Sequence, residues 1–111
     1  MNMLNQCIIE GNVAEEKELV TLPNEMKVYE FPIATSRFYK NAEGEMVEDV
    51  SFFEISTYGV IAEVCKKNAT KGRGIRIVGR MKQTVWTDSD GKKHSKISIV
   101  AEHCDFKPLT K

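Results

Sequence analysis

A chain of 111 residues, 41% hydrophobic and 29% charged, fits one ordinary globular domain and leaves no comfortable room for two. It has no run of roughly 18 apolar residues from which to make a transmembrane helix, and its start, MNMLNQCIIEGN, lacks the basic end and apolar block of a signal peptide. Three cysteines at unrelated spacings imply no disulfide framework, so a cytoplasmic protein is expected.

Residues 4–13, around Cys7, Ile8 and Ile9, read as a first strand, with Gly11 permitting a bulge or a close backbone approach. Residues 14–25 are acidic and polar, with a short strand near Leu19-Val20 and Leu22 before the Pro23-Asn24 turn. Over 26–36 the pattern alternates, with Tyr29, Phe31, Ile33 and Thr35 on one face; Pro32 cannot donate a ladder hydrogen bond, so imperfect pairing or a bulge is expected there. A polar hairpin over 37–49 follows, then a strand over 50–58. In that strand Phe53, Ile55 and Thr57 share one face, while Phe52, Glu54, Ser56 and Tyr58 share the other.

Residues 60–70 break the alternation. Val60, Ile61, Val64, Cys65 and Ala69 recur at helical spacing, and Gly72 reads as the stop. From Gly74 the chain alternates again: Ile75, Ile77 and Met81 on one face, Arg76, Arg80, Lys82, Thr84 and Trp86 on the other. Asp90-Gly91 is a hairpin signal, and a last strand over 94–102 turns Ile97, Ile99 and Ala101 inward. This order of elements is all-β with one helix, the order of a five-stranded OB barrel with its helix between the third and fourth strands and long hairpin loops.

The formal net charge of zero hides an asymmetry. Residues 1–64 carry four Lys/Arg against twelve Asp/Glu, a balance of −8, whereas residues 65–97 carry ten Lys/Arg against Asp88 and Asp90, a balance of +8. A basic segment of this kind suits a polyanion, and the only tryptophan lies on its cationic face. Exposed indole beside cations is a surface for unstacked bases and phosphates.

Several motifs resemble the bacterial single-stranded DNA-binding protein family. They are Ile8-Ile9-Glu10-Gly11-Asn12, Ala34-Thr35-Ser36 with Tyr39, Gly44-Glu45-Met46, Phe52, and Tyr58-Gly59 running into Ala62-Glu63-Val64. Further on come Lys71-Gly72, Val78-Gly79-Arg80-Met81, and Trp86-Thr87-Asp88 with Gly91. The likeness spans residues 5–106. It implies an OB-fold domain over 1–107 and a homotetramer, or in some members a dimer of two-domain chains. It also implies sequence-independent coating of single strands in replication, recombination and repair, at the nucleoid. At the family's stacking positions this chain has Tyr39, Phe52, Tyr58 and Trp86; parity alone picks out Phe52, Tyr58 and Trp86. The candidate phosphate contacts are Arg37, Lys40, Arg73, Arg76, Arg80, Lys82, Lys92 and Lys93, with Lys66 and Lys67 weaker because they lie on a helix exterior.

Other readings fare worse. His94, His103, Cys7, Cys65 and Cys104 contain no Cys-x-x-Cys pair or familiar zinc spacing, so no metal or other cofactor is expected. No nucleophile–base arrangement or phosphate-binding glycine loop points to an enzyme, and a nuclease would need clustered acids. A primosomal accessory protein on the same fold, acting mainly by partner recruitment, is the alternative; retention of all four aromatics favours the strand-coating protein. Family members commonly continue into an acidic tip that recruits replication and repair proteins. Residues 108–111 form only a short stub with a basic last residue, so recruitment by that route is not expected. An acidic run, Glu15-Glu16-Lys17-Glu18, also replaces the family's usual segment after Gly11-Asn12.

Overall fold

The computed structural model describes residues 1–109; of the expected stub, Thr110 and Lys111 lie outside the described residues. The elements are β1 (Cys7–Val13), β2 (Val20–Thr21), β3 (Lys27–Lys40), β4 (Met46–Tyr58), α1 (Val60–Asn68), β5 (Gly74–Thr87) and β6 (Lys93–Phe106). Strands run in the order β1-β5-β6-β4-β3, and a β1–β3 pairing closes them into a five-stranded barrel, with the two-residue β2 added outside β3. The expected OB architecture is thus present.

Closure is brief at two seams. β1 meets β3 at Asn12↔Ala34 and Val13↔Ile33, and β4 meets β6 in parallel at Ile55↔Ile99 and Ser56↔Val100. At the first seam a Cβ on Gly11 would stand 2.6 Å from the Ala34 carbonyl oxygen, so the close approach expected from the sequence is real. Pro32 does not disturb its strand: the β3–β4 register runs unshifted through Pro32↔Glu54. Its carbonyl accepts from the Ala14 amide at 2.9 Å, and a residue's N and C=O point to the same side of a strand. The missing donor therefore faces the seam where β1 has ended, not β4.

The core is built from the inward positions of all five strands: Val13, Tyr29, Phe31, Ile33, Ile55, Ile75, Ile77, Ile99 and Ala101. Tyr29 and Phe31 stack with centroids 5.3 Å apart, and the Thr57 hydroxyl donates to the Tyr29 carbonyl at 2.7 Å. Helix α1 packs against β3, β4 and β6 through Ala62, Cys65 and Ala69. This corrects the sequence reading, because Val60 and Val64 face outward while Ala62 faces in. A short helix lying across a barrel presents its small side chains so that the backbone can approach; docking geometry, not the most apolar stripe, sets its face. Glu63 in the first turn and Lys66 and Lys67 in the last suit the helix dipole.

Beyond the barrel the strands continue as two projecting ribbons, 36–40 with 46–50 and 82–87 with 93–98. The expected loops are therefore mostly strand, with tips only at 41–45 and 88–92. The ribbons raise the radius of gyration to 16.3 Å, against about 13 Å for a compact domain of this length. They also explain why Ile97, expected inside, is 61% exposed. Its parity is inward, but β4 has already left β6 at that level and no opposing wall remains. Met81, Ile97 and Phe53 instead line an apolar groove with Cys7, Ile9 and Ile99.

Candidate nucleic-acid interface

Paired residues of a ladder share a face, so the register decides which side chains meet. The pairs Ala34↔Phe52, Val28↔Tyr58, Ser56↔Val100, Arg80↔Val100, Lys82↔Ser98 and Trp86↔His94 put Phe52, Tyr58, Arg80, Lys82 and Trp86 on the outer face of one continuous sheet. Three separate stretches of sequence are brought onto one surface. The aromatics are open to solvent: Phe52 is 67%, Tyr58 38% and Trp86 44% exposed.

Tyr39 pairs with Val47 and therefore leaves the β3–β4 ribbon on the side opposite Phe52. Its neighbour Phe38 pairs with Glu48, shares the Phe52 side and is 59% exposed. Phe38 is the aromatic that sequence reasoning missed. Treating 37–49 as a loop removed the parity that would have found it.

The candidate cations divide. Arg80, Lys82, Lys40, Lys92 and Lys93 have no ion-pair partner among the described residues; Lys92 and Lys93 stand at the β5–β6 tip, Lys93 opposite Thr87 and so off the Trp86 side. Arg37 stands across from Asp49 in the ladder. Arg76 is already committed: its Nε and Nη2 donate to Glu10 Oε2 at 2.8 and 2.7 Å, which holds the Glu10 carboxyl below its ordinary range. Arg73 lies 5.1 Å over the Phe106 ring and donates to the carbonyls of Lys107 and Asn68, closing the base of the barrel. Lys66 donates to the Lys17 carbonyl and covers the Tyr29 ring.

The same outer face carries an acidic pair the sequence did not single out. Glu54 lies between Phe52 and Tyr58 on β4, with Glu30 beside it across the Glu30↔Ser56 pair. The Ser56 hydroxyl donates to Glu30 Oε2 at 2.9 Å. Burial, with the Glu30 charge second, raises the Glu54 carboxyl above its ordinary range. A raised acid holds its proton in the folded state to higher pH than in the unfolded chain, so its cost to stability appears as pH rises through that window. Glu54→Gln is therefore expected to raise stability slightly, by about 0.5 kcal/mol or less given its exposure, at neutral pH and not at pH 4. Thermal melts at the two pH values check this; an equal gain at both would assign it to packing.

At the far ribbon the His94 ring stacks on Trp86, with centroids 5.4 Å apart and planes 22° from parallel. His94 Nε2 lies 2.6 Å from Asp88 Oδ2, while Asp88 Oδ1 accepts from the amides of Asp90 and Lys92. The His94 hydrogen bond, then the Lys92 amide, hold the Asp88 carboxyl below its ordinary range. His103 pairs instead with Asp105, and Cys65 Sγ lies 3.7 Å from Cys104 Sγ. Among the described residues no three His, Cys, Asp or Glu side chains gather as a metal site, and no helix is long and apolar enough to cross a membrane.

A closed five-stranded barrel with one capping helix, carrying exposed aromatics and unpaired cations on an outer sheet face, defines an OB-fold protein of the nucleic-acid-binding type. The profile of the single-strand binding protein family matches residues 4–107, and the chain belongs to that family. It is 38% identical over 101 residues to a single-stranded DNA-binding protein of Aquifex aeolicus, covering 91% of this chain and 68% of that one. It is 36% identical over 100 residues to the single-stranded DNA-binding protein of Wolinella succinogenes, covering 90% and 62%. The chain thus spans about two thirds of the length of these relatives. Its fold superposes on the Plasmodium falciparum SSB solved in complex with single-stranded DNA, with a TM-score of 0.86 at 22% identity over 97% of this chain and 98% of that one.

Proposed function

We propose that the protein binds single-stranded DNA without sequence preference, stacking bases on aromatic side chains and holding phosphates with Lys and Arg. The observation that carries this is the gathering of Phe52, Tyr58 and Trp86, all exposed, with Arg80 and Lys82 on one sheet face. Every base has a π-face, so such a surface takes any sequence. Lys40, Lys92, Lys93 and Arg37 extend the cationic path along the two ribbons, with Tyr39 and Phe38 on the β3–β4 arm. Arg73 and Arg76 contribute less, because each already serves an internal contact. The relatives' names, and the solved complex of a structural neighbour with single-stranded DNA, support the same reading. Binding, not turnover, is the activity, and its setting is the coating of strands in replication, recombination and repair at the nucleoid.

A titration of the lone tryptophan's fluorescence with poly(dT) at several salt concentrations tests the reading. Quenching on addition of strand is expected, because a stacked base lies against the indole. With about three phosphates neutralised, affinity falls roughly twentyfold between about 50 and 200 mM salt. Binding that ignores salt would overturn the phosphate contacts.

The proposed assembly is a homotetramer. The support is the apolar groove of Phe53, Met81, Ile97 and their neighbours, a surface that a monomer would leave in water. Light scattering is expected to return four times the 12.6 kDa chain mass; a monomer would contradict it.

A further inference from the structure

Trp86 lies on the projecting β5–β6 ribbon, beyond the level at which β4 supports β6, so no core side chain fixes its rotamer. Yet Trp86 is only 44% exposed, and the ring of His94, its ladder partner, lies nearly parallel against the indole. His94 is itself held. Its Nε2 meets Asp88 Oδ2, and the other oxygen of that carboxylate is pinned by the Asp90 and Lys92 amides of the turn. A continuous chain of contacts thus runs from turn backbone to carboxylate to imidazole to indole.

We propose that His94 is the positioning residue of the Trp86 platform: it seals one face of the indole, fixes its rotamer through Asp88, and leaves the opposite face for a base. The inference rests on the single-strand reading above. Its physical content is preorganisation. A large side chain on a solvent-exposed ribbon must be ordered when a ligand stacks on it, and ordering it beforehand removes that cost from the binding step. Planar stacking also favours a ring with a polar edge over an aliphatic cover, since the imidazole can stack and pair with Asp88 together. The backing leaves Trp86 room for a single base on its open side, so the indole acts as the end of a stack and not as an intercalating wedge.

The test combines two readouts of the lone tryptophan. In the free protein, His94→Ala is expected to increase acrylamide quenching of the indole and to lower its fluorescence anisotropy, because the second face opens and the rotamer is released. Affinity for poly(dT) is expected to fall roughly two- to twelvefold, the cost of ordering one large side chain. His94→Arg keeps a planar group able both to stack and to pair with Asp88, and is expected to restore all three values. His94→Phe stacks without the tether and is expected to restore them in part. Asp88→Asn keeps the turn acceptor but replaces the carboxylate oxygen facing Nε2 with an amide group, a neutral and weaker tether, and should fall between the unmodified protein and His94→Phe. Unchanged quenching and anisotropy in His94→Ala would overturn the proposal, as would failure of His94→Arg to restore them. If His94→Ala disturbs the hairpin, as a lower melting temperature would reveal, His94→Phe and Asp88→Asn decide by the same two optical readouts. Failure of the unmodified protein to bind poly(dT) would overturn the single-strand reading, while the optical readouts would still decide the role of His94.

Discussion

Trp86→Ala is expected to weaken poly(dT) binding by about 1–3 kcal/mol, the worth of one stacked base, or roughly five- to 150-fold in affinity. The indole is 44% exposed, stands on the same sheet face as Arg80 and Lys82, and has one side already covered by His94. Removing it deletes the proposed base-stacking surface of the β5–β6 ribbon while leaving the core untouched. Lys82→Ala removes one proposed phosphate contact and should cost less, its loss shrinking further as salt rises. The comparison is made by titrating both variants under one salt condition, following binding by anisotropy of a labelled oligonucleotide because Trp86→Ala abolishes the intrinsic signal. Equal losses in the two variants would undercut stacking as the main contribution. Phe52→Ala should behave like Trp86→Ala, since Phe52 lies further along the same face and is more exposed.

Phe31→Ala is expected to have the opposite profile. Phe31 is fully buried in the barrel, stacked on Tyr29 and paired in the ladder with Ile55. Truncation removes its transfer free energy and leaves a cavity that the two short seams cannot close by collapse, at a cost of roughly 3–5 kcal/mol. Against a total stability of about 5–15 kcal/mol for a domain, that is a fall in melting temperature of roughly 15–25 °C. Thermal denaturation followed by circular dichroism measures it. A change of only a few degrees would mean that Phe31 is not the centre of the core. Phe31 and Phe52 lie on adjacent paired strands, yet one substitution should destroy stability with little direct effect on binding, and the other the reverse.

Much of this was legible in the chain. Alternation over Tyr29, Phe31 and Ile33, and over Ile75 and Ile77, marks buried faces because strand side chains alternate strictly and only one side of a barrel wall is dry. The polar parity of Phe52, Tyr58 and Trp86 marked them as exposed for the same reason. Burial could not be read where parity holds but the opposing wall ends, as at Ile97 and Met81. Nor could it be read at α1, where contact with the barrel chose Ala62 over Val60 and Val64. The commitment of Arg76 to Glu10 and of Arg73 to the barrel base was equally hidden, since each depends on strands or segments distant in sequence.

The Gly74–Gly91 stretch shows the division. By itself the sequence determined that one side of this strand is apolar and the other carries Arg76, Arg80, Lys82 and Trp86, because period-two alternation is a local property of the extended backbone. Only the tertiary structure decided which of those groups remain available. β1 brings Glu10 against Arg76 and removes it, β6 brings His94 against Trp86 and backs it, and β4 brings Phe52, Tyr58 and the acidic Glu54 onto the same face. Those neighbours come from 66, 8 and about 30 residues away in sequence, and strand register, which no local pattern encodes, is what puts them together.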